Sequence, residues 1–438
     1  MLASSPVAAA DHQTGPREIS SASTPAPPAV AKIAEGNFPI TNLEGHPAPA
    51  ALPSAQVAPQ ISFPGEPPAL SFNNLPAPQS AFRMRDPEVH KPILKELGGT
   101  KESENAVDRA LVWLASVQEP EGRWGYITTN RHRRAADHPH DMACTGLATL
   151  AFLAQGHSPA KAGPYQDNVT RALDFLISKQ LDDGDLRGPM RGGGADMGNM
   201  YDQGIATFAL AEAAIMSHDP KYTQAALAGA KFIVEAQNEE TGGWRYIPRE
   251  QGDSSVFGWQ IMALHSAEQI GFEIPNDCRI GMLRYIKMAS SGQHEMLAGY
   301  QPHNGPTPPM TAEIAFCRML LGQQFTEDEA NEVCDFLQNQ PPNRGESDIY
   351  YWYYGSLCMM QMQNDAWKNW NTQVRDTLIR MQRHVGSDGG YWEGMRWGDR
   401  GGHVFTTAMA TLTLEVYYRY MPLQQKTEKA GEEGGTGR

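Results

Sequence analysis

One pattern repeats along this chain and limits what it can fold into: an amphipathic helix, a glycine turn, a tryptophan and a second, apolar helix. Its clearest copy is residues 237–246 (QNEETGGWRY), directly after the apolar helical stripe at 225–236. Gly242 and Gly243 end that helix, because glycine readily adopts the positive φ that a helix end often needs. Trp244 adds a large ring whose N–H needs a hydrogen-bond partner. The recurring unit predicts a repeat architecture.

The pattern predicts about six helical hairpins, whose second helices span residues 141–154, 200–215, 253–270, 310–321, 348–362 and 404–420. Each second helix carries a small residue at one repeat position: Gly146, Gly204, Gly258, Ala312, Gly355 and Ala408. Glycine inside a helix costs about 0.5–1 kcal/mol relative to alanine, so its recurrence indicates close packing between neighbouring second helices. The last helix is as apolar as the middle ones, whereas an open stack needs polar terminal repeats. We therefore expect an all-α closed double ring with the second helices inside.

Composition confines these repeats to part of the 438-residue chain. Residues 1–99 are rich in Pro, Ala and Ser without an apolar period, and residues 422–438 are polar. We expect a disordered extension and a disordered tail around one folded unit, 100–421. Five cysteines stand singly in apolar helical runs, which predicts buried thiols.

Charge and hydropathy exclude some functions and leave the compartment open. A net charge of −14 disfavours a nucleic-acid partner, which needs a basic patch. No apolar run approaches the roughly 18 residues of a membrane span. Residues 7–10 (VAAA) have the small side chains of a cleavage site, yet no apolar segment precedes them. The compartment is therefore unknown: we expect a cytoplasmic protein from the sequence as written, and an exported one if the true start lies upstream of Met1.

The glycine–tryptophan turns resemble the QW motif of squalene cyclases and their relatives. The matching positions are Gln118 with Gly122 and Trp124, Gln237 with Gly242, Gly243 and Trp244, and Gln382 with Gly389, Gly390 and Trp392. Copies at Gln180 with Gly184 and at Gln340 with Gly345 are degenerate, and the fourth repeat has Ser290 in place of Gln. The resemblance covers about residues 100–421. It implies the α/α toroid shared by squalene and terpene cyclases, protein prenyltransferase β subunits and the complement thioester domain.

The chemical signatures of those families are absent from the sequence or altered. There is no DxDD string, which in cyclases carries the protonating acid. The nearest string, residues 182–185 (DDGD), lies in a turn and is expected to be solvated. Asp141 and Cys144 are three apart, where zinc-binding β subunits have two, so with His403 they form a weak zinc pattern. We expect no metal and no cofactor.

Candidate functional residues stand at the starts of the predicted inner helices. In a closed ring, Asp141, Asp202, Asp253 and His403 meet at one mouth of the barrel. Asp141 and Asp253 also suit helix capping, which adds about 0.5–2 kcal/mol. Asp202 lies a turn deeper and is harder to explain as a cap, so we favour it as a functional carboxylate.

A run of aromatic residues at 350–354 (YYWYY) covers every face of the fifth inner helix, so some rings must point into the barrel. We expect Tyr350, Trp352, Tyr353, Tyr354 and His403 to bind a ligand, with core packing as the alternative reading of the aromatic run. Such a lining suits an isoprenoid chain or a carbocation, and equally a stacked sugar.

The leading hypothesis is a squalene/terpene-cyclase-like protein whose barrel binds an isoprenoid or other apolar small molecule. If it is an enzyme, which stays open, Asp202, Asp141 or Asp253 is the acid of a cyclase or mutase reaction. Two alternatives remain: a non-catalytic toroid that binds a protein or surface ligand, and an acidic-cleft, glycan-acting enzyme with paired carboxylates. A deep aromatic pocket with one buried acid favours the first, a filled barrel the second, and an open cleft with two facing carboxylates the third.

Overall fold

The computed structural model describes residues 82–86, 89, 94–125, 138–193, 196–342, 346–384, 386 and 389–419. The chain divides into two compact units, Met1–Gly65 and Glu66–Arg438, and all described residues belong to the second. The predicted tail, most of the predicted extension and Gly345 lie outside the described residues. A 3₁₀ turn, Arg83–Arg85, and a short helix α1, Leu94–Leu97, stand inside the stretch predicted as extension.

Six helical hairpins follow in the described residues, each an outer helix and then an inner one. The outer helices are α2 (Lys101–Val117), α4 (Gln166–Lys179), α6 (Pro220–Glu235), α8 (Asn276–Ala289), α10 (Glu327–Gln338) and α12 (Asp365–Met381). The inner helices are α3 (Asp141–Ala154), α5 (Met200–Ser217), α7 (Ser254–Glu268), α9 (Pro308–Leu320), α11 (Ile349–Met362) and α13 (Gly398–Leu414). A short helix α14 (Val416–Arg419) comes last. The fourth turn contains a two-stranded antiparallel ribbon, β1 (Ser290–Ser291) with β2 (Leu297–Ala298).

Local sequence explains where these helices begin and which side they bury. Thr100 and Ser103 form a capping box at the start of α2, and Asn364 caps α12 by accepting from the Trp367 N–H. That cap starts α12 at Asp365. Outer helices bury one face, whereas all 14 residues of α3 are buried. A helix that is buried all round belongs to the inner layer.

The inner helices close into a ring, as predicted. Each packs on the next in chain order from α3 to α13, and α13 packs back on α3. Outer helices lie in the second layer, with α4 on α3, α6 on α5, and α2 on α13. The first outer helix therefore packs against the last inner helix, which an open solenoid does not permit.

The glycine–tryptophan turns, here called stapling turns, join adjacent hairpins through the same hydrogen bonds. Each indole N–H donates to a carbonyl near the end of the preceding outer helix, at 2.7–2.8 Å, in the pairs Trp124–Leu114, Trp244–Ile233 and Trp392–Leu378. Each Gln amide donates to its own turn and to the next outer helix, at 2.8–3.1 Å: Gln118 to Gly122 and Asn168, Gln237 to Gly242 and Cys278, and Gln382 to Gly390 and Ala106. The Gln382–Ala106 bond joins the sixth hairpin to the first.

Glycine is required in these turns by backbone angle and by space. Gly242 and Gly390 have φ of +78° and +111°, the left-handed region that side chains disfavour. A Cβ on Gly242 would come well within 3.0 Å of the carbonyl oxygen of Gly281. A Cβ on Gly390 would likewise come well within 3.0 Å of the carbonyl oxygen of Arg109. Both carbonyls belong to the next outer helix around the ring, so the turns pack directly on its backbone.

The small residues of the inner helices allow close approach, as predicted, at three of the four glycines. An added Cβ on Gly146, Gly204 or Gly258 would come within 3.0 Å of a residue on the next inner helix: Ile205, Gln260 and Glu313, respectively. Gly355 differs, because its close neighbour is Trp370 of outer helix α12. The Trp370 indole lies there because its N–H donates to the Ser356 hydroxyl at 3.0 Å.

Aromatic side chains fill the centre of the ring. Trp259 of α7 stacks on Tyr353 of α11, with centroids 5.7 Å apart and planes at 8°, and meets Tyr354 edge-on. The Tyr354 hydroxyl also contacts the Met262 sulfur at 3.6 Å. Because α9 separates α7 from α11 in the ring, these rings meet across the lumen. The lumen at this level is packed protein.

Three further expectations concern the described residues. The five cysteines are free and buried, as predicted. Within the described ranges no helix is both long enough and apolar enough to cross a bilayer. The solvated reading of residues 182–185 is confirmed for Asp182 and Asp183 and wrong for Asp185, which is buried and pairs with Arg187 at 2.8 Å.

Candidate functional site

Contacts between the starts of the inner helices show that they share one mouth of the ring. His140, before α3, contacts Asp202 of α5, and Tyr201 of α5 contacts Ser255 of α7. Ser255 in turn is contacted by Tyr350 of α11. Four residues were predicted to meet at one mouth: Asp141, Asp202, Asp253 and His403. The contacts around the ring connect Asp202 with Asp253 there, through Tyr201 and Ser255.

Asp202 is fully buried and links α3 to α5. Its Oδ2 accepts from the Asn199 N–H at 3.0 Å and lies 2.9 Å from His140 Nδ1, while its Oδ1 accepts from the Ala143 N–H at 3.0 Å. Asn199 is the N-cap of α5, and Asp202 completes its capping box from the third helical position. The expectation that capping does not explain Asp202 was wrong, because a carboxylate one turn into a helix can reach back to the N-cap backbone.

His140 connects the buried Asp202 carboxylate with a cavity, because it contacts Asp202 and also lines the cavity. The cavity measures about 250 Å³ and is lined by His138, His140, Asp196 and Arg400. Arg400 pairs with Asp196 at its rim. Burial lowers the pKa of His138, an effect that His140 adds to and Asp202 opposes, so His138 is neutral at pH 7. All four lining side chains are polar or charged.

The contact with Asp202 fixes the tautomer of His140. A carboxylate accepts, so Nδ1 carries the hydrogen of the neutral ring and Nε2 is the basic nitrogen. The His140 side chain is 15% exposed and that of Asp202 is 0% exposed. The pair is a histidine held by a buried carboxylate beside a polar cavity, an arrangement suited to general acid–base chemistry.

The Asp141 carboxylate forms an ion pair with a neighbouring arginine. Its Oδ2 pairs with Arg123 and accepts from the His138 N–H at 3.1 Å. The N-cap of α3 is His140 rather than Asp141, so Asp141 holds the segment before the helix instead of capping the helix itself. Its place in the first turn still complements the helix dipole.

Asp253 caps α7, as expected, and has further partners. Its Oδ1 accepts from the Val256 N–H at 2.9 Å and from the Ser255 hydroxyl at 2.8 Å, and its Oδ2 accepts from the Tyr300 hydroxyl at 3.1 Å. Burial raises the pKa of Asp253, and these hydrogen bonds together with Arg245 oppose that rise. Asp253 is thus a cap in a tyrosine-rich part of the mouth.

Glu313 of α9 is a buried acid that sequence analysis missed. The Tyr350 hydroxyl lies 3.0 and 3.1 Å from its two carboxyl oxygens and 2.8 Å from the Ser255 carbonyl. Burial raises its pKa well above the ordinary value, although hydrogen bonds from Tyr350 and Tyr354 oppose this. The signal was a single carboxyl group in an apolar helix, where a glycine on the neighbouring helix, Gly258, makes room for it.

The predicted ligand-binding residues fall in two places. Tyr350 is half-buried at the mouth, whereas Tyr353 and Tyr354 are buried in the packed centre. Trp352 is also buried. His403 stacks on Tyr391 at 5.1 Å, and its Nε2 lies 3.6 Å from Glu393. None of these five residues is among the four that line the described cavity.

The residues considered for zinc have other contacts. The Cys144 thiol lies 3.6 Å from the Gly401 carbonyl, and Asp141 pairs with Arg123. In the part of the chain that the structure describes, no group of three or more His, Cys, Asp or Glu residues is placed to hold a metal ion.

No family model matches the sequence, and no curated protein matches it significantly. Solved structures do match. Unsaturated glucuronyl hydrolase from Streptococcus agalactiae aligns with a TM-score of 0.54 and 13% identity, over 74% of this chain and 93% of that one. An inactive variant of the α-1,6-mannanase GH76A of Salegentibacter sp. HEL1_6, in complex with α-1,6-mannotriose, aligns at 0.51 and 8%, over 72% and 99%.

A variant of the type II terpene cyclase MstE from Scytonema aligns at 0.46 and 14% identity, over 72% of this chain and 97% of that one; a TM-score below 0.5 gives that pairing no weight. At such identities likeness shows the fold alone. The structural similarity to the glucuronyl hydrolase and the mannanase confirms the α/α toroid fold. It does not single out the squalene cyclases among proteins with that fold.

Proposed function

We propose that the mouth of this toroid binds a glycan and that His140, held by Asp202, acts on it as a general base. The observation that carries the proposal is the position of His140. It lines the cavity of about 250 Å³, and its Nδ1 lies 2.9 Å from a fully buried carboxylate. Among the acids predicted from sequence, Asp202 contacts the ring of a histidine that lines this cavity, so its role is to position His140.

The pair has the features that a general base needs. Two backbone N–H groups fix the Asp202 carboxylate, so the imidazole that contacts it has little rotational freedom. When Nε2 accepts a proton from a ligand hydroxyl or water, the resulting imidazolium lies against a carboxylate that stabilises its charge. The reaction class is therefore deprotonation of a hydroxyl group or of water.

The walls of the cavity favour a sugar over an apolar ligand. The Arg400–Asp196 pair offers donors and acceptors to hydroxyl groups, and half-buried tyrosines stand elsewhere in the mouth, where the Tyr246 and Tyr300 hydroxyls are 3.0 Å apart. The volume is below the roughly 300–1,000 Å³ of drug-sized ligand pockets, so it suits a single sugar ring. The glucuronyl hydrolase and the mannanase share the fold, but at such low identity the similarity shows the fold alone. The proposal therefore rests on the residues that line the cavity.

A second candidate is the isoprenoid-binding barrel with acid-initiated chemistry that the sequence resemblance implied. The buried carboxyl of Glu313 favours it, because burial raises its pKa and so favours the protonated form of an acid that lies beside aromatic rings. Trp259, Tyr353 and Tyr354 occupy the lumen next to that acid, so an isoprenoid would have to displace them. The glycan proposal needs no such rearrangement. A filled lumen also suits the non-catalytic alternative, in which the toroid binds a protein.

Ligand binding and turnover test these candidates together. Saturation-transfer NMR should show binding of one class of mono- or oligosaccharides, including uronic acids, and no binding of isoprenoid alcohols. With the bound saccharide as substrate, His140→Gln should lower kcat at least about 100-fold, the scale of one general base, while saccharide binding persists. His384→Gln changes an exposed histidine and serves as the matched control.

Three outcomes count against the glycan proposal. Isoprenoid binding without saccharide binding would favour the second candidate. Absence of both would favour the non-catalytic toroid. Full activity of His140→Gln on a bound saccharide would remove His140 from the mechanism.

A further inference from the structure

Arg85 is buried although it lies ahead of the first hairpin. It is 1% exposed, and its two terminal nitrogens donate to the two carboxylate oxygens of Glu212, at 2.9 and 2.7 Å. The ring of Phe82 lies over the guanidinium at 4.1 Å, and the Met216 sulfur is 3.6 Å from Nη1. Two parallel bonds between a planar guanidinium and a carboxylate are the strongest and most directional form of ion pair.

Glu212 lies near the C-terminal end of α5, away from the mouth, and is itself 1% exposed. A second arginine, Arg419 of α14, approaches the same carboxylate at 3.4 Å and donates to the Tyr353 hydroxyl at 2.9 Å. The 3₁₀ turn Arg83–Arg85 packs on α14. The base of the ring thus presents one buried carboxylate to two guanidinium groups, one from the ring and one from the segment before it.

We propose that the base of the toroid is a guanidinium-binding site built around Glu212, and that residues 82–86 occupy it through Arg85 as a latch on the ring. This inference does not rest on the function proposed for the mouth. Without Arg85 the buried Glu212 carboxylate would keep its longer contact with Arg419, at 3.4 Å, but lose both bidentate hydrogen bonds, which is destabilising for a buried charge. The site is therefore specified for a cation, and the planar, two-pronged geometry selects a guanidinium over an ammonium.

The contact geometry allows a free ion to replace the side chain. Among the described residues, Arg85 bonds to Glu212 through its terminal nitrogens, and its Nε has no hydrogen-bond partner there. A free guanidinium ion therefore has every donor that the described contact with Glu212 uses. Burial raises the pKa of the nearby Glu415 carboxyl, although Arg419 and Arg85 oppose that rise, so a negative charge on Glu415 is disfavoured.

Chemical rescue of the full-length Arg85→Ala variant tests the site. We expect its Tm to fall by several degrees, and millimolar guanidinium chloride to restore most of that loss, whereas tetramethylammonium chloride at equal ionic strength restores none. The double variant Arg85→Ala with Glu212→Gln should show no rise. Arg249→Ala, which removes an exposed partner of Glu239, controls for general effects of guanidinium. No rise in Arg85→Ala, or an equal rise in the double variant, would overturn the proposal.

Hydrogen exchange keeps the proposal testable even if Arg85→Ala does not fold. In the wild-type chain the amides of residues 82–86 should be protected from exchange. In Arg85→Lys the protection should be intermediate, because an ammonium group cannot donate the two parallel hydrogen bonds of a guanidinium. Wild-type amides at 82–86 that exchange like those of an unstructured peptide would refute the latch. Saccharide binding at the mouth is a separate readout, so failure of one proposal is distinguishable from failure of the other.

Discussion

Replacing Gly390 with alanine places a methyl group at the seam where the sixth hairpin meets the first. Gly390 has φ of +111°, and an added Cβ would come well within 3.0 Å of the Arg109 carbonyl oxygen in α2. The left-handed backbone costs a residue with a Cβ about 1–2 kcal/mol, and overpacking adds about 1–3 kcal/mol, so the free energy of unfolding should fall by about 2–5 kcal/mol. At about 2 °C per kcal/mol for a unit of this size, Tm should fall by about 4–10 °C.

Gly271→Ala is the matched control for that change. Its φ is +92°, yet no atom of the described part of the chain lies within 4 Å of an added Cβ, so the backbone cost of about 1–2 kcal/mol applies without a steric one. Gly242→Ala reproduces the steric contact in the middle of the chain. Thermal melting followed by circular dichroism, together with urea unfolding, should give similar stabilities for Gly390→Ala and Gly242→Ala. Both variants should have a lower Tm and a lower free energy of unfolding than Gly271→Ala. Equal losses in Gly390→Ala and Gly271→Ala would refute a closed, packed seam.

Two further predictions concern buried acids. Asp202→Asn should lower the free energy of unfolding by about 2–4 kcal/mol, because an amide cannot accept from all three donors that the carboxylate serves; urea unfolding beside the exposed control Asp183→Asn measures this, and equal stabilities would contradict it. For Glu415, burial raises the pKa above the ordinary value of about 4.3, so the folded chain keeps a proton that the unfolded chain releases, and stability falls as pH rises from there toward the folded pKa. Glu415→Gln should therefore exceed the wild-type Tm at about pH 8 and lose that advantage near pH 4; a pH-independent difference would contradict the assignment.

The fold could be predicted because its signals are local and repeated. Gln237, Gly242 and Trp244 act within one turn, and their geometry recurs at each good copy of the motif. Closure followed from the apolar character of the last helix. Sequence could not show that Gly355 packs on an outer helix, because that depends on where the large Trp370 side chain lies in space.

The candidate site could be predicted only in part. Asp202 and Asp253 were placed at the mouth, because helix starts align in a closed ring. His140 was missed, because its carboxylate partner lies 62 residues away and it stands in a polar stretch without a period. Glu313 was hidden in an apolar helix. Arg85 was hidden in a Pro- and Ala-rich stretch, where one arginine carries no pattern.

The Gln382–Ala106 bond gives every hairpin two neighbours. A linear repeat array has end repeats with one neighbour each, and its stability is a sum of repeat and interface terms. A closed ring lacks such a weak end, so losing any hairpin breaks two interfaces, and unfolding should be a single cooperative transition. In a closed ring the contacts between hairpins depend on their order around the ring and not on which hairpin comes first in the chain. A circular permutant that begins at α10, with α14 joined to α2 by a linker, would therefore retain every stapling turn.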